Sequence, residues 1–144
     1  MRMIPTTMAL AAVIAMTGVP QAAETIGRSN PLRKELLNSL RPYVENDLGV
    51  DVQFVVDTLQ VEDGYAFLAG SVQHKDGSPI DFSQTPYADA EAEGMFDGPS
   101  IRALLSKQGD DWQAEIFSIG ATDVVEAGWP DEFGVSCTLV NACY

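Results

Sequence analysis

Residues 50–73 read VDVQFVVDTLQVEDGYAFLAGSVQ, two apolar, β-rich segments, Val50–Val61 and Tyr65–Gln73, on either side of Glu62-Asp63-Gly64. Asp-Gly between such segments is a strong local hairpin signal, because glycine supplies the positive φ that a tight connection requires. Within the first segment Val52, Phe54 and Val56 share one parity, whereas Val55, Leu59 and Val61 share the other. Either both strand faces are partly apolar or a bulge near Val56–Thr58 switches the phase. In the second segment Tyr65, Phe67 and Ala69 oppose Ala66, Leu68 and Val72, with Gly70 as a candidate bend. The pair is the expected centre of a small antiparallel sheet.

On the N-terminal side, Glu24–Ser29 reads as a short polar linker, and Asn30-Pro31 as a helix start, with Asn30 capping and proline at the first helical position. Leu32, Leu36, Leu37, Leu40, Tyr43, Val44 and Leu48 follow at spacings of three and four, with Arg33, Lys34, Asn38, Arg41 and Glu45 on the opposite face. Pro42 falls inside this pattern and predicts a kink or two short helices. Gly49 is placed to end the run.

On the C-terminal side, Lys75-Asp76-Gly77-Ser78-Pro79 has turn chemistry. Asp81–Pro99 follows as a long connection holding two prolines, two glycines and five carboxylates. Loops of that length in a compact domain are usually functional or disordered. Ser100–Lys107 and Trp112–Ile119 flank Gln108-Gly109-Asp110-Asp111 and read as a second hairpin. Thr122 or Asp123 can then cap a short helix through Val124, Val125 and Ala127, stopped by Gly128. The expected architecture is α+β: an N-terminal helix packed on a four-stranded antiparallel sheet, a short C-terminal helix and a disulfide-closed tail.

Arg2 and the small, apolar run Met8–Val19 read as a secretory signal peptide over residues 1–23, cut after Ala22 or Ala23. The competing reading, an uncleaved membrane anchor, suffers from a run too short to span a bilayer comfortably. Residues 24–144 then form one compact domain, periplasmic or secreted, with no stable membrane anchor after cleavage. Formal net charge is −13, and loss of Arg2 with the leader takes it to −14. Such a chain repels phosphate backbones and anionic headgroups, so nucleic acid is excluded as an expected partner. Solubility alone accounts for acidity more simply than recognition of a basic partner does. Cys137 and Cys143 are the only cysteines, and in an oxidising compartment they predict a local disulfide.

Chemistry-bearing constellations are sparse. His74 is the only histidine, and Ser71 beside it lacks a nucleophile-elbow context. Ligand count disfavours zinc, and no Gly-rich phosphate loop is present. Paired carboxylates for glycoside hydrolysis have no basis for selection. Asp89, Glu91, Glu93 and Asp97, with Asp81 before them, offer hard oxygen donors of the type Ca²⁺ takes, but not at EF-hand spacing. Solvated acidic loop is the plainer reading, and no metal or other cofactor is expected. Tyr87 and Trp129, beside prolines in loops, are the aromatics best placed to meet a partner.

Leu36–Pro42 (LLNSLRP), Phe54-Val55-Val56, Asp63–Ala69 (DGYAFLA), Asp76–Asp81 and Gly109–Trp112 together resemble small exported proteobacterial proteins of unknown function. At the fold level the helix followed by strands closing on a Gly-Asp-Asp-Trp hairpin is similar to cystatin-like and NTF2-like domains. The resemblance implies export and one compact domain, and transfers no catalytic residue. The functional expectation is a non-enzymatic envelope interaction module binding an unknown envelope protein or small molecule through Tyr87, Asp89, Glu91, Glu93, Asp97 and Trp129. The alternative is a small-molecule-binding or enzymatic domain with a pocket between helix and sheet.

Overall fold

A computed structural model describes residues 22–144. The signal-peptide reading of residues 1–23 therefore lies almost wholly outside the described residues. The elements are β1 Glu24–Thr25, α1 Pro31–Leu48, β2 Val52–Glu62, β3 Tyr65–His74, α2 Ala88–Ala92, β4 Ser100–Gln108, β5 Asp111–Ile119 and α3 Trp129–Phe133. The strands form one antiparallel sheet in the order β1-β2-β3-β4-β5. Five strands replace the expected four. The added strand comes from the presumed linker, where Glu24 pairs with Val61 and Thr25 with Gln60, and the Ile26 N–H donates to the Leu59 carbonyl at 2.8 Å. Two residues of ladder are too short to show a period, and Ile26, 3% exposed, is their only apolar anchor.

The central hairpin closes through Asp63 and Gly64, both at positive φ (47° and 78°), as a two-residue turn matching the right-handed strand twist demands. Between Val56–Gly70 and Thr58–Ala69 the register shifts, leaving Asp57 as the extra residue. This bulge puts Val52, Phe54, Val56, Leu59 and Val61 against the same core, which resolves the phase change in the sequence. Gly70 lies opposite it, and a Cβ there would sit 2.1 Å from the Val55 carbonyl oxygen. A second register shift at Leu104/Leu105 skips Glu115, so that Trp112, Ala114, Phe117 and Ile119 all face the helix side while Ile116 faces away.

Helix α1 covers that first face. Asn30 Oδ1 accepts from the Leu32 N–H at 3.0 Å, and Gly49 (φ 75°) donates its N–H to the Glu45 carbonyl at 2.8 Å. The helix runs unbroken through Pro42 rather than splitting into two. Pro42 is exposed, so the carbonyl one turn earlier that loses its donor can turn to water. Leu40 and Val44 meet Val52, Ala66, Ile101, Ala103 and Leu105, all fully buried. The centre of the helix–sheet interface is a continuous cluster of buried apolar side chains. Trp112 is buried there, its indole N–H being without a hydrogen-bond partner among the described residues.

The C-terminal segment covers the other face. Phe67 and Leu104 pack with Trp129, Val135, Leu139, Val140 and Ala142 in a second apolar cluster. Gln60 Nε2 donates to Asn141 Oδ1 at 2.8 Å, and Ser136 Oγ donates to Glu62 Oε2 at 2.6 Å, tying the tail to β2. Cys137 and Cys143 are disulfide-bonded, as expected. The C-terminal helix begins later than expected: Val125–Gly128 is a 3-10 turn, and α3 uses Trp129 and Pro130 as its first residues and Gly134 (φ 69°) as its stop. Proline suits a helix start because its missing N–H is one the first turn leaves unused anyway.

Candidate functional site

The connection from β3 to β4 is folded against the body of the protein. Ser83 donates its N–H (3.1 Å) and hydroxyl (2.5 Å) to Asp81 Oδ1, which starts a 3-10 turn at Phe82–Gln84. Thr85, buried, donates its hydroxyl to the Phe82 carbonyl at 2.7 Å and accepts from the Tyr87 N–H at 3.2 Å, leading the chain into α2. After α2 the chain returns so that the Phe96 ring lies 4.8 Å from Phe82 and 5.0 Å from Tyr87, centroid to centroid. The Asp97 N–H then donates to the Gly120 carbonyl at 2.7 Å. Phe96 reaches over Gly120 so closely that a Cβ there would lie 2.2 Å from the ring.

Tyr87 supplies the longest-range tie. Its hydroxyl donates to Asp47 Oδ2, in the last turn of α1, at 2.5 Å. Half-burial, then this bond and the negative charge of Asp47, push the phenol well above the ordinary tyrosine range near 10. Tyr87 was expected to face a partner; instead it is a half-buried anchor. Because its folded pKa is raised, the stabilisation it gives is fully present below the unfolded pKa of about 10 and is lost as pH climbs through the higher folded value. Absorbance titration should therefore show one phenol, that of Tyr87, ionising above the ordinary tyrosine range, with the loop loosening as it does. Tyr87→Phe should cost about 1 kcal/mol and remove the late-titrating tyrosine, since Asp47 is only half-buried and can rehydrate. If the phenol lost in Tyr87→Phe proved to be one that ionises in the ordinary tyrosine range, the bond to Asp47 would not be what holds it.

What this anchoring displays is a run of acids. Asp89, Glu91, Glu93 and Asp97 are all exposed, on and just after α2. Neither ion pair among the described residues, Lys75–Asp51 and Arg102–Glu126, involves them. No three His, Cys, Asp or Glu side chains among the described residues converge as a metal site would require, so the Ca²⁺ reading gains no geometric support. Trp129 requires a correction. It is 2% exposed, meets Phe67 edge-on at 6.1 Å, and belongs to the second core rather than to a contact surface.

Ser71 and His74 lie three residues apart on β3, a spacing that sends side chains to opposite strand faces, so they do not form a nucleophile–base pair. Past His74 the chain turns, and Ser78 donates its hydroxyl and N–H to Asp76, holding that exposed carboxyl below its usual range. Clefts lie at the rim of the fold. One of about 280 Å³ is lined by Ser71, Gln73, Ile80, Phe82 and Pro99, and an open groove of about 420 Å³ by Pro42, Tyr43, Asn46, Asp47 and Phe117.

Sequence reasoning missed Phe96 and Asp47, the residues that make the loop a fixed body. Three aromatics, Phe82, Tyr87 and Phe96, in a stretch otherwise small, polar and acidic were the available signal. Searches of protein-family models, curated proteins and solved structures found no match to the chain.

Proposed function

We propose that the protein is an exported, non-enzymatic binding module whose contact surface is the acidic platform carried by Asp81–Pro99. One observation carries the reading: a long strandless segment is pinned by Phe82, Phe96 and the Tyr87–Asp47 bond, yet its four exposed carboxylates have no ion-pair partner among the described residues. Unpaired charge on a fixed segment reduces the ordering cost of association and fits a partner with a basic face. The apolar leader-like segment and the Cys137–Cys143 bond support export to an oxidising compartment, the periplasm or beyond. Among the described residues no helix is long and apolar enough to cross a membrane. A strand, a helix and then a four-stranded meander support the cystatin-like comparison over the NTF2-like one. The buried centre of the helix–sheet interface leaves the alternative of a helix–sheet pocket only the open groove between α1 and Phe117 of β5.

A photo-crosslinker at Glu91, with one at Asp110 on the far hairpin as control, tests the reading in the native compartment. The expected result is a product specific to position 91 that disappears with raised salt and when Asp89→Asn and Glu93→Gln are added, changes that leave the melting temperature within a few degrees of the parent. An identical crosslinking pattern from both positions, or one indifferent to neutralisation, would overturn the assignment.

A further inference from the structure

The cations of this acidic chain are not dispersed. Of the seven Lys and Arg among the described residues, Arg28, Arg33, Lys34 and Arg41 line a single groove of about 360 Å³ together with Ser29, Asn30, Pro31, Leu37 and Asn38. No carboxylate lines it, and among the described residues none of the four cations forms an ion pair, whereas Lys75 and Arg102 do. Arg33 and Lys34 lie in the opening turns of α1, where the helix field disfavours positive charge and where the sequence places no acid in the first turn to offset them. In a chain with 21 carboxylates, four cations gathered in one groove without an ion-pair partner among the described residues, two of them against that field, point to an external counter-charge. The helix N–H groups are not the source of attraction, since the Asn30 side chain and carbonyl already take those of Leu32 and Arg33.

Arg41 is pre-positioned: its guanidinium donates to Asn38 Oδ1 at 2.5 Å and sits over the Phe54 ring at 5.8 Å. Arg33 and Arg41 are eight residues apart on one helix, a rise of about 12 Å, so the groove matches a ligand with several anionic groups better than a single small anion. Charge over the remaining surface selects among such ligands. A membrane or a nucleic acid presents a broad anionic face that would also meet the exposed carboxylates, whereas a small molecule meets the groove alone.

We infer that the Arg28–Arg41 groove binds a small, soluble ligand bearing two or more phosphate groups. Arginine forks take phosphate oxygens in pairs, and Pro31 and Leu37 give the ligand's carbon skeleton an apolar floor. The site is separate from the acidic platform and does not depend on it.

Calorimetric titration of residues 24–144 with inorganic tripolyphosphate at near-physiological salt tests the inference. Saturable binding is expected, weakened at least tenfold in Arg33→Gln/Lys34→Gln, because each charge-assisted contact is typically worth a tenfold change or more. Lys107→Gln, outside the groove, should bind as the parent does, and circular dichroism should report the same fold for all three. Absence of binding, or binding indifferent to the Arg33→Gln/Lys34→Gln change, would overturn the proposal. Flotation with phosphatidylglycerol vesicles that tripolyphosphate does not compete away would overturn it in favour of a membrane surface. Self-association abolished by the same double variant, without tripolyphosphate binding, would overturn it in favour of another copy's acidic platform.

Discussion

Trp129→Ala is expected to cost about 3–5 kcal/mol in urea denaturation, the range for emptying a buried aromatic site. Trp129 is 2% exposed and fills the space between α3 and the sheet, with its ring edge-on to Phe67. Its removal deprives Phe67 and Leu104 of cover, and Val135, Leu139 and Val140 would have to move together to restore it. Since small domains are stable by only about 5–15 kcal/mol, the variant should unfold within the ordinary working range of temperature. It should also bind an apolar dye before it unfolds, because the second face is held separately from the helix-covered core. Trp129→Phe should retain most of the stability. A loss below about 1 kcal/mol for the alanine variant would show that the tail does not depend on this side chain.

Gly70→Ala is the second large effect, and it acts through backbone alone. The added methyl would lie 2.1 Å from the Val55 carbonyl oxygen and 3.1 Å from Val56 Cα, and neither belongs to a side chain that can rotate away. Relief requires separating β2 from β3 or flattening the bulge at Asp57. Flattening it would set Leu59 and Val61 out of phase with Val52, Phe54 and Val56 and turn one of these sets outward. The expected cost is at least about 3 kcal/mol, above the usual range for an added methyl because the obstruction is the ladder itself. Gly27→Ala, where nothing lies within 4 Å of the new Cβ, should change stability by no more than about 0.5 kcal/mol. Equal stabilities for the two variants would mean that the bulge can relax freely.

The features legible in the sequence were those set by neighbouring residues. Asp63-Gly64 specifies its turn by backbone preference, Asn30-Pro31 and Gly49 delimit α1, and the phase change after Val56 is the trace of a bulge. Features decided by distant contact were misread. Trp129 beside Pro130 has the local composition of a loop, and only Phe67, remote in sequence, makes it core. Tyr87 has the same history with Asp47. The strand at Glu24–Thr25 is too short for any pattern, and the skipped Glu115 hides because Trp112, Ala114 and Ile116 alternate correctly until the register changes. The acids of the candidate platform could be named from sequence. Whether they stood on a fixed body could not, because that depends on three aromatic rings meeting across a fold.

The second face of the sheet is covered by residues made after everything they cover. Each strand pairs with its predecessor or successor in the chain, so the meander can assemble as it emerges, with few long loops to close. Phe67, Leu104 and Ile116 stay bare until Trp129, Val135, Leu139 and Val140 have been synthesised. A polypeptide halted near Gly128 would thus own a finished helix-side core and a sticky reverse side, a species prone to clump with its own kind. The C-terminal segment is the cover without which the reverse side of the sheet stays apolar and bare.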